Sequence, residues 1–377
     1  MRKLLSIILT VIAICFLHTA LADDIFLQIK PFSEGLAAVQ NSEHQWGYID
    51  KTGTVVIPCE WDEALEFNGG IARIKKDWKY GWINTSGQMV IECVWQDSAD
   101  SFSEGLAAVK NENGLWGFID PTGTVVLPFE WTGIMIPRFS DGLAAVEKDN
   151  AMGYINKAGE EIIPCQYEFC NVFSHGNALV QDNSGLFFID TTGLEAFPEL
   201  PHAVYADSFR EDGIAYLGYV DHTGYFINTE GQIVCTLSSE YRLRSNFREG
   251  LAGIAEFGAD DPCEGYIDQN GSVVIPLEMY SSQGKFRNGR VCIPDRPITE
   301  KDVHYGVIDS SGALIYSFTL DKEVEFTDKV AAAVQDGRYG AIDLDGNIVV
   351  PFEYDDIKTG DGIILCLKDR NIKLYGY

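Results

Sequence analysis

The sequence predicts an all-β tandem-repeat protein, and three observations carry the prediction. A phrase of the form aromatic, Gly, aromatic, Ile, Asp or Asn, two residues, Gly returns nine times along 377 residues; Trp46-Gly47-Tyr48-Ile49-Asp50 before Gly53 is its cleanest copy. Its closing glycines, Gly53, Gly87, Gly123, Gly159, Gly193, Gly231, Gly271, Gly312 and Gly346, stand 34 to 41 residues apart. A period in that range is the signature of a repeat architecture. Around each copy lie short apolar runs that end at turn residues, as Thr124 to Leu127 ends at Pro128.

Residues 102 to 131 give the elements of one unit in order. Phe102-Ser103-Glu104-Gly105 is a turn, and Leu106-Ala107-Ala108-Val109 a short strand. Lys110 to Leu115 is a polar loop before a second strand, Trp116 to Asp120. Asp120-Pro121-Thr122-Gly123 turns the chain into a third strand, Thr124 to Leu127. Asp favours the first position of a type I turn because its carboxylate accepts backbone N–H groups further along, and Gly supplies the left-handed residue that closes the hairpin. Asp50, Asn84, Asp120, Asn156, Asp190, Asn228, Asp268, Asp309 and Asp343 all fill that first position and read as turn-formers, not as catalytic carboxylates.

The strands are apolar at consecutive positions, as in Val125-Val126-Leu127, so each small sheet should be covered on both faces. Paired alanines, Ala37-Ala38 and Ala107-Ala108 among them, would let backbones approach closely. Two aromatic columns recur, Trp46, Tyr80, Trp116, Tyr305 and Tyr339 in one and Trp61, Trp95, Trp131, Tyr167 and Tyr354 in the other. Such columns are expected to form the core between repeats. The other reading is a stacking platform for sugars.

The phrase Phe-Ser-Glu-Gly-Leu-Ala-Ala-Val, then Trp-Gly-Tyr-Ile-Asp-x-x-Gly, then Val-Val-Ile-Pro resembles the bacterial WG repeat. The resemblance runs from Phe32 to Tyr377 and is specific in the first four units. It degrades in units five and six, where Leu186-Phe187-Phe188 and Gly224-Tyr225-Phe226 replace the Trp-Gly-Tyr phrase, and recovers at Glu264-Gly265-Tyr266-Ile267-Asp268. It implies an all-β repeat protein and no particular activity.

The expected architecture is a tandem array of small three-stranded antiparallel units, nine repeats and a partial tenth, over residues 23–377. Ten units exceed the usual four to eight blades of a propeller. An open curved stack is therefore the first expectation, and a closed β-propeller, with Ile25 to Ile29 supplying the missing strand, is the alternative.

Residues 1–22 read as a secretory signal peptide: Arg2 and Lys3, an apolar run from Leu4 to Leu17, and the cleavage pattern Ala20-Leu21-Ala22. The protein is thus expected to be secreted, in a periplasmic or extracellular setting, with no transmembrane segment in the mature chain. Loss of Arg2 and Lys3 takes the net charge from −28 to −30. Such a field repels nucleic acid and favours partners that carry a basic patch. Eight cysteines follow the leader, an even number compatible with disulfides, but Cys59, Cys93 and Cys165 share one lattice column and read as small apolar residues.

The chain carries no H-E-x-x-H, phosphate loop, G-x-S-x-G or C-x-x-C motif. No catalytic, cofactor-binding or metal residues are assigned. Asp343-Leu344-Asp345-Gly346-Asn347 resembles the start of a calcium loop but lies in register with the hairpin turns. Insertions concentrate in the loop between the first and second strands of units seven and eight, Glu256 to Cys263 and Pro294 to His304. Insertions at equivalent positions emerge on one rim and often mark a binding face, which makes Asp260, Asp261, Arg296, Lys301 and His304 the candidate rim residues. The function expected is a non-enzymatic binding or scaffold module for a protein or envelope partner. The alternative is an envelope-glycan-binding protein or glycoside hydrolase.

Overall fold

Asp50 shows how the hairpin after the Trp-Gly-Tyr-Ile phrase closes. Its Oδ1 accepts the amides of Thr52 at 2.8 Å and Thr54 at 3.1 Å and the Thr52 hydroxyl at 2.6 Å. The Gly53 amide returns to the Asp50 carbonyl at 2.9 Å with φ at +84°. The same turn recurs at Asn84, Asp120, Asn156, Asp190, Asn228, Asp268, Asp309 and Asp343, each capping the residue four positions on. Asp343 Oδ1 therefore faces the amides of Asp345 and Asn347, which accounts for the calcium-like spelling as a turn.

The computed structural model describes residues 25–377 apart from 134, 259–262, 281–283, 299, 301 and 327–328. The leader expected over residues 1–22 lies outside the described residues. Every regular element among the described residues is a β-strand, and the strands form ten antiparallel meanders in chain order. In the first, β1 (Phe26–Ser33), β2 (Leu36–Asn41), β3 (Trp46–Asp50) and β4 (Val55–Trp61) pair in sequence. Six of the ten sheets are four-stranded, the chain entering from the previous unit adding a strand to the expected three.

The sheets close into a ten-bladed propeller ring, which corrects the open stack expected first. The physical reason is the N-terminal strand. The Phe26 amide donates to the Arg370 carbonyl of blade ten at 3.0 Å. Phe26, Ile29 and Phe32 share one core with Leu365, Leu367 and Ile372. The first and last blades thus bury in each other the apolar surface that two free ends would expose.

The core lies between blades. Tyr48, Ile57 and Trp61 of blade one pack with Ala64, Phe67, Ala72 and Ile74 of blade two. The step repeats as ring pairs between a blade's central strand and the next blade's entry: Tyr48–Phe67, Phe118–Phe139 and Tyr154–Phe173 lie 4.7 to 4.9 Å apart. The aromatic columns are inter-blade core as expected, with Trp116 fully buried and Trp61, Trp131, Tyr167 and Tyr354 buried beside it. Coverage on both faces holds for the central strands and fails for the outer one. In β4, Ile57 and Trp61 are buried while Val56, Pro58 and Glu60 are exposed, because no further strand pairs outside it.

The glycine of the Trp-Gly-Tyr phrase has a local cause. Trp46 pairs with Trp61 and Tyr48 with Ile57, so β4 bulges over Pro58 to Glu60. A Cβ on Gly47 would stand 2.5 Å from the Ile57 carbonyl oxygen and 2.8 Å from Cys59 Sγ. Proline is tolerated there because a bulge on an edge strand needs no N–H at that point. Cys59, Cys93 and Cys165 are half-buried against these glycines, and all eight cysteines after the leader are free thiols.

Candidate functional site

Blades six and seven depart from the repeat in a coordinated way. Where blade one has Trp46, they carry Gly224 and Glu264. Tyr216, which replaces the small residue of the Leu-Ala-Ala-Val run, packs over Gly218 and Gly224 and against Phe226 at 5.0 Å. The outer strand of blade six, Ile233–Leu237, has no proline and pairs with Tyr225 and Gly224 without the bulge seen in blade one. A side chain at the glycine position is therefore admitted there, and Tyr225 occupies it.

Between these two blades opens a cleft of about 430 Å³. Among the described residues its cations are Arg210, Arg242, Arg244 and Lys285, and its one lining carboxylate is Asp207. Tyr205, Tyr216, Tyr219 and Tyr241 give it aromatic walls, and Phe257 closes one side against His222 with ring centroids 4.0 Å apart. Burial pushes the Tyr216 and Tyr219 hydroxyls up to about 12, so both remain neutral donors. Arg244 Nε binds Glu264 Oε1 at 3.0 Å, and Glu264 is only 2% exposed. Glu323 is also raised, by burial first and then by the nearby Glu264 and Glu325 charges.

Two polar atoms in the cleft are buried without a hydrogen-bond partner, Arg242 Nε and Asn246 Oδ1. Asn246 itself is 8% exposed, and its amide nitrogen is held by Asp207. Buried polar atoms are nearly always paired, so these two are unusual. The cleft thus offers a buried donor, a buried acceptor, guanidinium forks and aromatic faces.

Phe257, in the first of the two insertions, lines the cleft. Tyr219 to Thr223 and Glu256 onward are equivalent loops of blades six and seven, so the cleft opens on the face that carries the insertions. Asp260, Asp261 and Lys301 lie outside the described residues. Arg296 and His304 are brought together by Asp295. Arg296 grips Asp295 through Nε and Nη2, both at 3.1 Å, and the His304 amide donates to the same carboxylate at 3.1 Å. The Arg296 hydrogen bond holds the Asp295 carboxyl below its usual range. Arg296 thus binds within its own loop. The cleft residues were not singled out by the sequence, although the fading of the phrase in units five and six pointed to their neighbourhood.

The fold and the cleft define a closed β-propeller of tandem repeats with a binding cleft at its most divergent blades. The chain belongs to the WG containing repeat family, whose profile matches residues 46–80, 80–115, 116–150, 152–185, 265–293 and 339–359. No curated protein matches by sequence. Among solved structures, a eukaryotic initiation factor is similar at 10% identity with a TM-score of 0.54, covering 89% of this chain and 97% of that one. BamB from Moraxella catarrhalis is similar at 12% identity with a TM-score of 0.37, covering 96% and 98%. The first of these likenesses speaks to the fold alone.

Proposed function

We propose that the protein is a non-enzymatic binding scaffold, secreted to the periplasm or the cell exterior, that holds a protein partner at the cleft between blades six and seven. One observation carries the reading. The family profile leaves residues 186–264 unmatched, and most of the cleft lining falls within that stretch. The repeat constraint is relaxed where the cleft forms, and what replaces it is Tyr and Arg, the side chains that dominate protein-interface hot spots. The acidic surface steers a partner with a basic patch, and the cleft receives an acidic side chain at its centre. Phe257 flanks that contact.

The test is capture from the envelope fraction of the source cells by the wild type and by Arg242→Ala and Tyr241→Ala. The reading expects one partner that the wild type retains, that both variants lose, and that high salt weakens. Equal capture by all three proteins contradicts it. The second reading, a glycan-active hydrolase, is tested by incubation with cell-wall polysaccharides. Turnover that survives purification and vanishes on substitution of one carboxylate would replace the scaffold.

A further inference from the structure

A second cavity, of about 570 Å³, lies away from the insertion face. It is lined from five consecutive blades, four to eight, at the turn that joins each blade's entry to its first long strand. Only the axis of a ring brings five consecutive blades to one cavity, so these turns surround the central opening.

The turn has a common spelling in blades one, three, four and five. Ser33, Ser103, Ser140 and Ser174 follow a phenylalanine there, as in Phe32-Ser33-Glu34-Gly35, and Asn68 stands at the position in blade two. In blades one and three the serine is structural. Ser33 Oγ donates to the Phe67 carbonyl at 2.7 Å and Ser103 Oγ to the Phe139 carbonyl at 2.6 Å, each tying one blade to the next. In blades six, seven and eight the same position is Arg210, Arg248 and Arg287. None of these arginines makes the bond to the next blade's phenylalanine carbonyl; in blade eight Asn288 makes it instead. The fold therefore does not account for three successive arginines.

All three line the axial cavity, and Arg138 of blade four joins them. Arg248 and Arg138 have no ion pair among the described residues. Arg210 reaches Asp207 through Nη2 at 3.7 Å, while its Nε is buried without a hydrogen-bond partner. Arg287 meets Glu325 at the surface. The lining carboxylates are already engaged in part: Glu249 accepts the Asn288 and Gly289 amides at 2.6 and 2.7 Å, and Asp212 accepts the Ile214 amide at 3.1 Å. Glu211 is the remaining acid. Among the described residues, four guanidinium groups thus share one cavity with three carboxylates, in a chain whose net charge is −28.

We propose that the axial cavity over blades four to eight binds a compact multivalent oxyanion, one that presents several phosphate or carboxylate groups to Arg138, Arg210, Arg248 and Arg287. Guanidinium forks match both groups bidentately, and such a ligand supplies the ionic partner that Arg138 and Arg248 lack among the described residues. The proposal concerns a small ligand in another cavity; Arg210 lines both cavities, whereas Arg248 lines this one and not the docking cleft, so Arg248→Ser separates the two readings.

The test is titration calorimetry of the full mature chain with sodium tripolyphosphate and, separately, with citrate, against sodium chloride at matched ionic strength. Arg248→Ser and Arg210→Ser restore the residue that earlier blades carry at this position, so both are expected to fold, and a thermal melt checks it. Lys79→Gln, in blade two, removes an equal charge away from the axis. Saturable binding at one site per chain, weakened about tenfold or more by each serine variant and unchanged by Lys79→Gln, is the expected result. Binding of tripolyphosphate alone assigns phosphate as the source, and binding of citrate alone assigns carboxylate. No saturable binding of either probe overturns the proposal. So does binding that both folded serine variants retain, or that Lys79→Gln weakens as much as they do.

Discussion

Asp361 Oδ2 accepts the backbone amide of Gly35 at 2.8 Å, across 326 residues of sequence. The contact joins blade ten to blade one and has the same form as contacts inside the ring. Glu34 accepts Gly69 and Gly70 at 2.7 and 2.9 Å, Asp141 accepts Gly176 at 2.8 Å, and Glu249 accepts Gly289 at 2.7 Å. In each case the turn carboxylate of one blade caps the turn of the next. A lysine completes the pattern: Lys51 reaches the Asp361 carbonyl at 3.1 Å, as Lys157 reaches the Glu104 carbonyl at 3.0 Å. The seam is built from the parts used elsewhere.

Removal of the seam cap should therefore cost as much as removal of an interior one. Asp361→Ala and Glu34→Ala are each expected to lose about 1 kcal/mol, the scale of one charge-assisted hydrogen bond at a partly exposed site. Chemical denaturation of both variants measures it. An Asp361→Ala protein as stable as wild type, beside a destabilised Glu34→Ala, would show that the seam bond does not hold the ring.

The two glycine positions of the repeat should respond differently. Gly47→Ala places a Cβ 2.5 Å from the Ile57 oxygen in a packed sheet, and about 3 kcal/mol of destabilisation is expected from the backbone shift it forces. At Gly35 the added Cβ meets nothing within 4 Å, and only the φ of +84° opposes it, so about 1 kcal/mol is expected there. Equal melting temperatures for the two variants would refute the bulge account of the Trp-Gly-Tyr phrase.

Closure of the hairpins should carry a pH dependence. The Thr122 hydroxyl beside Asp120, the Ser272 amide beside Asp268 and the Ser311 hydroxyl beside Asp309 hold these carboxyls below the usual range. A folded pKa below the unfolded value of about 3.9 stabilises the protein above that pH, and the gain is lost as pH falls through the folded pKa. The triple variant Asp120→Asn, Asp268→Asn, Asp309→Asn keeps the acceptor oxygen, as Asn84 and Asn156 do naturally, but loses the charge. Its melting temperature should lie furthest below wild type near neutral pH and converge on it in acid. A gap that does not change with pH would remove the carboxylates from the account.

Much of this structure was legible because it is local. Asp50, Thr52 and Gly53 specify their turn within four residues, and nine copies of it set the lattice. The reason for Gly47 was not legible, since the clash comes from a bulge on the partner strand, where Pro58, Cys59 and Glu60 face Gly47 alone. Ring closure depends on the summed rotation of ten blades, and its capping residue sits in Thr359-Gly360-Asp361-Gly362, where the repeat spelling has gone. The cleft draws Asp207, the strand that carries Arg242 and Asn246, and Lys285 from separate segments, and no short window unites all three. The arginine column was readable in principle, by laying Arg210, Arg248 and Arg287 under Ser33 and Ser103, but a count of motifs does not look for a residue that breaks one.

Removal of blade ten tests the closed ring most directly. Deletion of residues 356–377 takes away the partners of Phe26, Ile29 and Phe32, all at or below 3% exposure. Size-exclusion chromatography and thermal melting of the truncated chain read the outcome. A closed ring predicts aggregation, or a broad melt far below that of the full chain, because two apolar blade faces are exposed at once. A soluble monomer that melts cooperatively near the wild-type temperature would mean that the remaining blades stand without a seam, and would contradict the ring.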